Sequence, residues 1–229
     1  MCFSAAASFG ASAVLTVTGI ATLSRCSKPQ QVLFAGIPLI LAVQQASEGV
    51  VWLALMHPGY AMWLKTAIYT FLFFAQVLWP TWIPVAILIL EKNSMRRRLL
   101  YIGSGLGSVV STYLAYRLMT EPIQASIAGM HIYYGLGSMN ATLRDSAVAY
   151  FIVTVIPPFI SGVKKMWLFG SSIGLAYVIT HVIFEDYELS IWCFFAAIQS
   201  ILVFIILFKL QQTPAKTTGP EKLKPALRL

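Results

Sequence analysis

A glutamate inside an apolar stretch is the residue of this chain best suited to carry chemistry. Glu48 lies within residues 31–56, and the rise of an α-helix would place it roughly 12 Å below the end of that stretch. In a bilayer, a carboxylate at that depth costs about 2.5 kcal/mol or more, so it must face the protein interior or water. Gln44 precedes it by one helical turn and Gln45 by three residues. The three polar side chains are therefore predicted to point towards one seam.

Two interpretations fit this seam. In the first, Glu48 relays protons or cations, or binds a solute, and Gln76 from the next apolar stretch extends a polar path with Gln44 and Gln45. In the second, a protonated or hydrogen-bonded Glu48 locks the packing of neighbouring helices. The residue spacing is the same in both cases, so the sequence leaves them open.

Histidines and acids near the ends of apolar stretches form a second group of candidates. His181 stands just before Glu185 and Asp186, and a histidine with nearby carboxylates can shuttle protons or bind a metal ion. Alternatively, His181 pairs with these acids at the membrane surface. His131 and Asp145 lie in the longest connecting segment and could join it as solute ligands, acid–base groups or metal ligands.

The three cysteines separate by position. Cys2 and Cys193 fall at the same predicted end of the first and last apolar stretches, which are neighbours if the helices close into a ring. They could form a disulfide in an oxidising compartment, remain unpaired thiols, or bind zinc or copper with His131 or His181. Cys26 lies at the opposite end and is interpreted as a bystander. No HExxH or CxxC spacing occurs, so a metal site would rest on proximity alone, and no other cofactor is indicated.

Seven apolar stretches must position these residues. The chain of 229 residues is 58% hydrophobic and only 10% charged, with a mean hydropathy of +0.76, whereas a soluble domain is about 25% charged. A spanning helix needs about 20 mostly apolar residues. We therefore predict an all-α integral membrane protein whose residues 1–210 form one domain of seven transmembrane helices. The helices are predicted near residues 3–24, 31–56, 63–90, 99–119, 146–163, 167–184 and 190–209.

Basic residues set the predicted orientation. Positive charges at span ends mark the cytoplasmic side, and of the 16 Lys and Arg residues one side receives only Lys65, Arg117 and Arg144. The N-terminus is therefore predicted outside and the C-terminus in the cytoplasm. This describes a multi-pass protein of the cell membrane, that is, the inner or plasma membrane. The cytoplasmic side holds the remaining clusters, which are Arg25–Lys28, Lys92–Arg98, Lys164–Lys165 and Lys209–Arg228.

The charge distribution also predicts the partners. A net charge of +8 could suggest nucleic acid, but the positive residues cluster in short loops and a tail beside apolar stretches, where lipid headgroups explain them. The lipid bilayer is the predicted partner, nucleic acid is excluded, and the oligomeric state is left open. Residues 211–229 are rich in Pro and Lys and are predicted to be a disordered cytoplasmic tail.

Small residues, prolines and loops predict how the bundle is arranged. Prolines at positions 80 and 84 should kink the third helix, and Pro157-Pro158 should interrupt the fifth. The outer segment 120–145 is long enough to fold over the bundle mouth, and His57 is predicted as a turn residue. Short similarities between helices 1–3 and 5–7 suggest a parallel 3+1+3 repeat, as in some transporters, or chance. Two stripes of small residues at four-residue spacing predict close packing or, for the first stripe, a solute path: Ser4, Ser8, Ser12 and Thr16, then Gly103, Gly107, Ser111 and Ala115.

Five short strings occur together in this chain: MCFSA at Met1–Ala5, EGVVWL at Glu48–Leu53, WPTWIP at Trp79–Pro84, HIYY at His131–Tyr134 and WCFFAA at Trp192–Ala197. Together they resemble an uncharacterised family of multipass membrane proteins, found mostly in bacteria, whose members open with Met-Cys-Phe-Ser-Ala. The resemblance extends from residue 1 to about residue 200. It implies a membrane location and transfers no activity and no catalytic residue.

Three functions compete on this pattern. The favoured one is binding or transport of a small solute or ion through an outward-opening polar pocket around Glu48. The second is an intramembrane enzyme at the outer face that uses Glu48, His131, His181 and Asp145 as acid, base or metal ligands. The third is a membrane sensor or assembly factor. A retinal protein is disfavoured because the seventh helix has no lysine before Lys209.

Overall fold

Apolar stretches form the helices of this chain, at bounds close to those predicted. The computed structural model describes residues 4–129, 131–135, 139–183 and 188–212, with side chains undescribed at 139–146, 181–183, 188–194 and 211–212. The predicted tail 211–229 therefore lies outside the described residues, apart from the two that end the last helix. The α-helices are α1 Ala5–Leu23, α2 Val32–Ala35, α3 Ile37–Met56, α4 Leu64–Leu72, α5 Trp79–Leu90, α6 Ser94–Thr120, α7 Met139–Ile160, α8 Met166–Ile183 and α9 Glu188–Gln212.

Four helical stretches are long and apolar enough to cross a membrane, among the described residues. They are Ala5–Leu23, Pro29–Met56, Pro58–Leu90 and Ser94–Thr120. Three further apolar helical stretches are shorter: Ala147–Ile160, Met166–Thr180 and Phe195–Leu210. The structure thus supports a helical membrane protein. The number of seven spans stays a prediction.

Two of the predicted spans are not single α-helices. The second begins with a 3-10 turn, Pro29–Gln31, followed by α2, and α3 restarts at Ile37 after Gly36. The third runs from a 3-10 turn, Pro58–Trp63, through α4, a π-helical segment at Phe73–Leu78, and α5. Such π segments inside α-helices occur often at functional sites.

The helices pack into a ring in which the first and last touch. α1 packs against α3 and α9, α5 against α6 and α7, and α8 against α7 and α9. A core cluster joins the bundle near the start of α3, where the rings of Phe34 and Phe169 meet edge to face at 5.4 Å between centroids. The contact between α1 and α9 agrees with the predicted ring closure.

The segment between α6 and α7 contains a β-hairpin, so the all-α prediction was wrong there. Strands β1 Gln124–Ala128 and β2 His131–Gly135 pair antiparallel, and Gly129 adopts a positive φ of 61° at the turn. Alternation explains the strand, because Ile132 and Tyr134 point into the bundle while their neighbours do not. The Tyr134 ring stacks on Phe71 of α4 at 5.1 Å. The hairpin therefore folds back onto the ends of α3, α4 and α6, as the length of the segment suggested.

Contacts gather the predicted basic loops at one end of the bundle, which we call the basic end. The Arg25 guanidinium lies over the rings of Phe204 and Phe208 near the end of α9, 5.9 and 5.6 Å from their centroids. Lys165 lies beside Lys209, and a hydrogen bond to Lys209 together with its charge lowers the pKa of the Lys165 ammonium. The segment of Lys92–Arg98 is tied to the turn after α7 by Glu91, described below.

Prolines and glycines determine how closely α5 and α6 approach. Pro84 has no N–H, so the carbonyl of Pro80, four residues earlier, is not used within the helix. Gly107 packs directly on that carbonyl, and a Cβ there would overlap the Pro80 oxygen. Thr81 Oγ1 also donates to Ser111 Oγ at 2.8 Å. The small-residue stripe of α6 thus packs as predicted at these two positions.

Two other packing predictions have different outcomes. Pro157-Pro158 does not interrupt the fifth predicted span, because α7 continues through both prolines and ends at Ile160. Each proline removes the hydrogen bond to the carbonyl four residues earlier, and α7 ends two residues after the second one. In the hydroxyl stripe of α1, Ser12 donates to Ala42 O at 2.8 Å, Thr16 to Ser12 O at 2.8 Å, and Ser4 caps the helix. Three of its four hydroxyls are bonded to backbone, which favours packing over a solute path.

Candidate functional site: a polar seam in the bundle

The predicted polar seam lies on one buried face of α3. Glu48 is 0% exposed, and Gln44 and Gln45 are also buried. Gln45 Nε2 donates to Glu48 Oε2 at 3.0 Å, and Gln44 Oε1 accepts a hydrogen bond from Trp79 Nε1 at 3.0 Å. The structure therefore brings the three α3 residues together and links them to α5. Their role in binding or catalysis stays a prediction.

Close packing by α1 covers the seam on one side. The Phe9 ring lies against Gly49, where a Cβ would come within 2.9 Å of the ring. Gly19 similarly faces Leu39, where a Cβ would come within 2.6 Å of the side chain. Glycines at both places let α1 approach α3 closely, beside Glu48 at Gly49 and about 13 Å further along α3 at Leu39.

The π-helical segment of the third predicted span contributes Gln76. Its side chain is 3% exposed, and neither Nε2 nor Oε1 has a hydrogen-bond partner within the described part of the chain. Tyr150 of α7 donates its hydroxyl to the carbonyl of Ala75 in the same segment at 2.9 Å. This segment therefore faces the bundle interior with an unsatisfied amide.

Two more buried polar atoms without a partner lie at the same level. Ser8 Oγ and Trp52 Nε1 are buried and form no hydrogen bond among the described residues. Trp52 follows Glu48 by one turn on α3, and Ser8 adjoins the phenylalanine that packs on the residue after Glu48. Gln76 is three residues before the tryptophan that bonds to Gln44. All three groups thus lie within about one helical turn of Glu48 along the bundle axis.

A small internal cavity adjoins the seam on the side of the basic end. Its volume is about 40 Å³, and at roughly 10–15 Å³ for each water centre it holds about three or four water molecules. Five helices and the π segment contribute to its wall. The lining residues are Ile37, Leu41, Gln44, Ala75, Trp79, Ile83, Tyr150, Thr154, Phe169, Ile173 and Gln199. Most of this wall is apolar, and its polar groups are amides, hydroxyls and an indole, with no charged side chain.

The remaining predicted candidates are not assembled at this seam by any described contact. His131 lies on β2, where burial lowers the pKa of its imidazole. Asp145 and His181 lie in α7 and α8 and Cys193 in α9, but their side chains are outside the described residues, as is all of Cys2. The predictions of a disulfide, of unpaired thiols and of metal ligation at these residues are therefore untested.

Of two smaller predictions, the turn at His57 is confirmed, and the interpretation of Cys26 as a bystander stays a prediction. His57 ends α3 and precedes the 3-10 turn, with its ring edge against Tyr60 at 6.4 Å, so it is a turn residue. Cys26 is partly buried at the end of α1, where burial raises the pKa of its thiol. Over the described ranges, no three His, Cys, Asp or Glu residues are grouped so that they could hold a metal ion.

Glu91 is a buried acid that the sequence analysis missed. Its Oε1 accepts from the N–H groups of Lys92 and Asn93, each at 2.9 Å, and its Oε2 accepts from the N–H of Gly162 at 2.6 Å. Burial alone would raise the pKa of the carboxyl, but these N–H groups and the charge of Arg96 hold it below its usual value. A lone acid preceding a run of basic residues was the available signal. Sequence reasoning also missed Tyr150 and Thr154, hydroxyl residues on an otherwise apolar helix.

The apolar helices and the buried polar seam place this chain among helical membrane proteins with a polar interior. It belongs to a family of unknown function, DUF6629, which it matches over residues 1–218. No curated protein and no solved structure matches the chain.

Proposed function

We propose that this protein is a multi-pass protein of the cell membrane that binds or transports a small solute or ion at the polar seam around Glu48. The observation that carries the proposal is a fully buried Glu48, within a stretch long enough to span a bilayer and one helical turn from Gln44, which lines a small cavity. Ionisable residues at such depth in membrane proteins commonly line solute paths or proton relays.

The gathering of basic loops supports the orientation in this proposal. Arg25, Lys165 and Lys209 meet near the end of α9, and positive loops favour the cytoplasmic side. In this orientation the first of the seven proposed spans starts outside and the last ends in the cytoplasm. The hairpin then lies on the outer side, and the seam is proposed to open outward. The cavity lies on the cytoplasmic side of Glu48, so the two together would form a path across the middle of the bundle.

Unsatisfied groups favour a functional seam over a packing lock. A glutamate retained only for packing would be expected among neighbours whose polar atoms are paired, since unpaired buried groups each cost about 1–3 kcal/mol. Ser8, Trp52 and Gln76 are instead buried and unpaired among the described residues. The alternative of an intramembrane enzyme, possibly metal-dependent, rests on Glu48 and His131 and on side chains outside the described residues, those of Asp145, His181, Cys2 and Cys193. No described contact brings this set together.

Flux through reconstituted vesicles tests the proposal. Liposomes with entrapped pH-sensitive or sodium-sensitive dyes report ion entry, and osmotic swelling in urea or glycerol reports neutral solutes. The expected result is protein-dependent flux of at least one probe, which Glu48→Gln reduces by about 100-fold. Glu121→Gln is the matched control, because Glu121 forms only a partly exposed ion pair with Arg117 at 3.0 Å. No flux of any probe, or equal flux in Glu48→Gln, would overturn the proposal.

A further inference from the structure

Three unpaired polar groups surround the level of Glu48, and their chemistry identifies what they can hold. Ser8 Oγ, Trp52 Nε1 and both amide atoms of Gln76 lack a protein partner within the described chain. Leaving all of them unsatisfied would destabilise the fold, because a buried donor or acceptor without a partner has lost the hydrogen bonds that it made with water. A small polar species bound between them would remove this cost.

The unpaired N–H donors near Glu48 disfavour the binding of a metal cation. The Trp52 indole can only donate a hydrogen bond, and the Gln76 amide nitrogen also only donates. The oxygens available near them are Ser8 Oγ, Gln76 Oε1 and the Glu48 carboxylate, fewer than the about six to eight oxygen ligands that a calcium ion takes. A water molecule satisfies both kinds of group, because it accepts from the two N–H donors and donates to Glu48 or to Gln76 Oε1.

Size selects against an organic solute. The adjoining cavity of about 40 Å³ has room for about three or four water molecules and for nothing as large as an amino acid or a sugar. Its polar wall groups are Gln44, Trp79, Tyr150, Thr154 and Gln199. The Thr154 hydroxyl donates to the carbonyl of Tyr150 at 2.7 Å, which leaves its oxygen able to accept from water.

We propose that the ion handled at the seam is the proton, and that ordered water held by Ser8, Trp52 and Gln76 connects Glu48 to the cavity. The inference rests on the proposed function and names its substrate class. Gln44 lies one helical turn from Glu48, about 5.4 Å along the axis, and lines the cavity, so the proposed water has about one helical turn to bridge.

The chemical step is a proton exchange. A hydronium ion on one side transfers a proton to the Glu48 carboxylate, so that one O–H bond breaks in the donor and one forms on the carboxyl. The neutral carboxyl then releases a proton to a water molecule on the other side, which restores the carboxylate. No oxidant, reductant or second substrate is needed.

Ion-specific flux tests the inference separately from the proposed function. In liposomes with the membrane potential set by potassium and valinomycin, the intact protein is expected to carry protons and not sodium. Proton flux should fall about 100-fold in Glu48→Gln. Glu48→Asp, which keeps a carboxyl group, should retain part of the flux. Sodium or neutral-solute flux without proton flux overturns the proton inference and leaves the proposed function intact. Absence of every flux overturns both.

Variants of the residues that are proposed to hold the water give a sharper test. Trp52→Phe keeps an aromatic ring and removes only the N–H, so proton flux should fall several-fold with an unchanged melting temperature. Infrared difference spectra of the intact protein should show a carboxyl band that titrates with pH, shifts in heavy water and vanishes in Glu48→Gln. A band that neither titrates nor exchanges, or full flux in Trp52→Phe, contradicts the water relay even if a variant at Glu48 fails to fold.

Discussion

Two buried glutamates in this protein have opposite surroundings. Glu91, 7% exposed, receives backbone N–H groups from its own loop and from Gly162 on the turn after α7. Glu48, fully buried, receives the side chain of Gln45 and lies beside polar groups that have no partner. The same residue type therefore holds two loops together at the basic end and lies on a buried polar face of α3 in the middle of the bundle.

The difference follows from what the backbone can offer. In the middle of α3 every backbone N–H is bonded within the helix, so a glutamate there can find donors only on side chains or water. At the end of α5 the helical pattern stops, and the N–H groups of the next residues turn towards Glu91. A carboxylate satisfied by backbone groups is suited to stability, and one that depends on side chains and water is suited to change its protonation.

The largest expected effect on stability is at Glu91. Glu91→Ala removes an acceptor from three N–H groups, and should lower the free energy of unfolding by about 1–3 kcal/mol. The control Glu121→Ala breaks one partly exposed i,i+4 ion pair, worth about 0.3–0.5 kcal/mol. Thermal unfolding in detergent measures both. Equal losses of stability in the two variants would show that Glu91 does not hold the two loops together.

The contribution of Glu91 should also depend on pH. Its folded pKa is lowered, so its stabilisation is complete above the unfolded value of about 4.3 and is lost as pH falls through the lower folded value. The stability difference between the protein and Glu91→Gln should therefore shrink in acid. A difference that stays constant from neutral pH into strong acid would contradict this linkage.

A smaller and opposite effect is expected at Gln76 in the seam. Gln76→Leu replaces an unsatisfied amide by an apolar group of similar size, and should leave the protein equally stable or more stable by about 1 kcal/mol. Proton flux should fall at the same time. Gln45→Leu is the matched comparison, because it removes the hydrogen bond to Glu48 and should destabilise. A clear loss of stability in Gln76→Leu would show that the Gln76 amide stabilises the fold.

The smallest effect on stability is expected at the β-hairpin, which contains neither glutamate. Burial lowers the pKa of His131, so the folded state resists its protonation. Stability should decline as pH falls below the unfolded value of about 6.5 towards the lower folded value. His131→Gln should remove this component from melting curves recorded at neutral and mildly acidic pH. Identical pH profiles for both proteins would contradict the shift.

The sequence predicted the apolar helices well because hydropathy is a local property. The first stretch was predicted at 3–24 and α1 covers Ala5–Leu23, while the ends predicted at 56 and 90 coincide with those of α3 and α5. The shared face of Gln44, Gln45 and Glu48 was predictable for the same reason, since helical periodicity fixes it. The seven-span count, the orientation and the repeat stay predictions.

Features that depend on distant partners were missed or only partly predicted. The hairpin was not predicted, because its alternation is short and its burial depends on α4. The π segment leaves no simple residue pattern. Glu91 resembled an ordinary loop acid, since its partner Gly162 is 71 residues away. Trp79 was predicted to be part of a kinked helix, and its hydrogen bond to Gln44 joins residues 35 apart.

By itself, the sequence determined that this chain is built from apolar helices with a glutamate buried inside one of them, because hydropathy and helical spacing act over a few residues. The tertiary structure decided what surrounds each glutamate. Only the approach of α1 and the π segment to α3 shows that Glu48 lies near unpaired polar groups, one turn from a small cavity, whereas Glu91 is bonded to backbone. Hydrogen-bond satisfaction is a property of groups brought together by folding, and no local pattern records it.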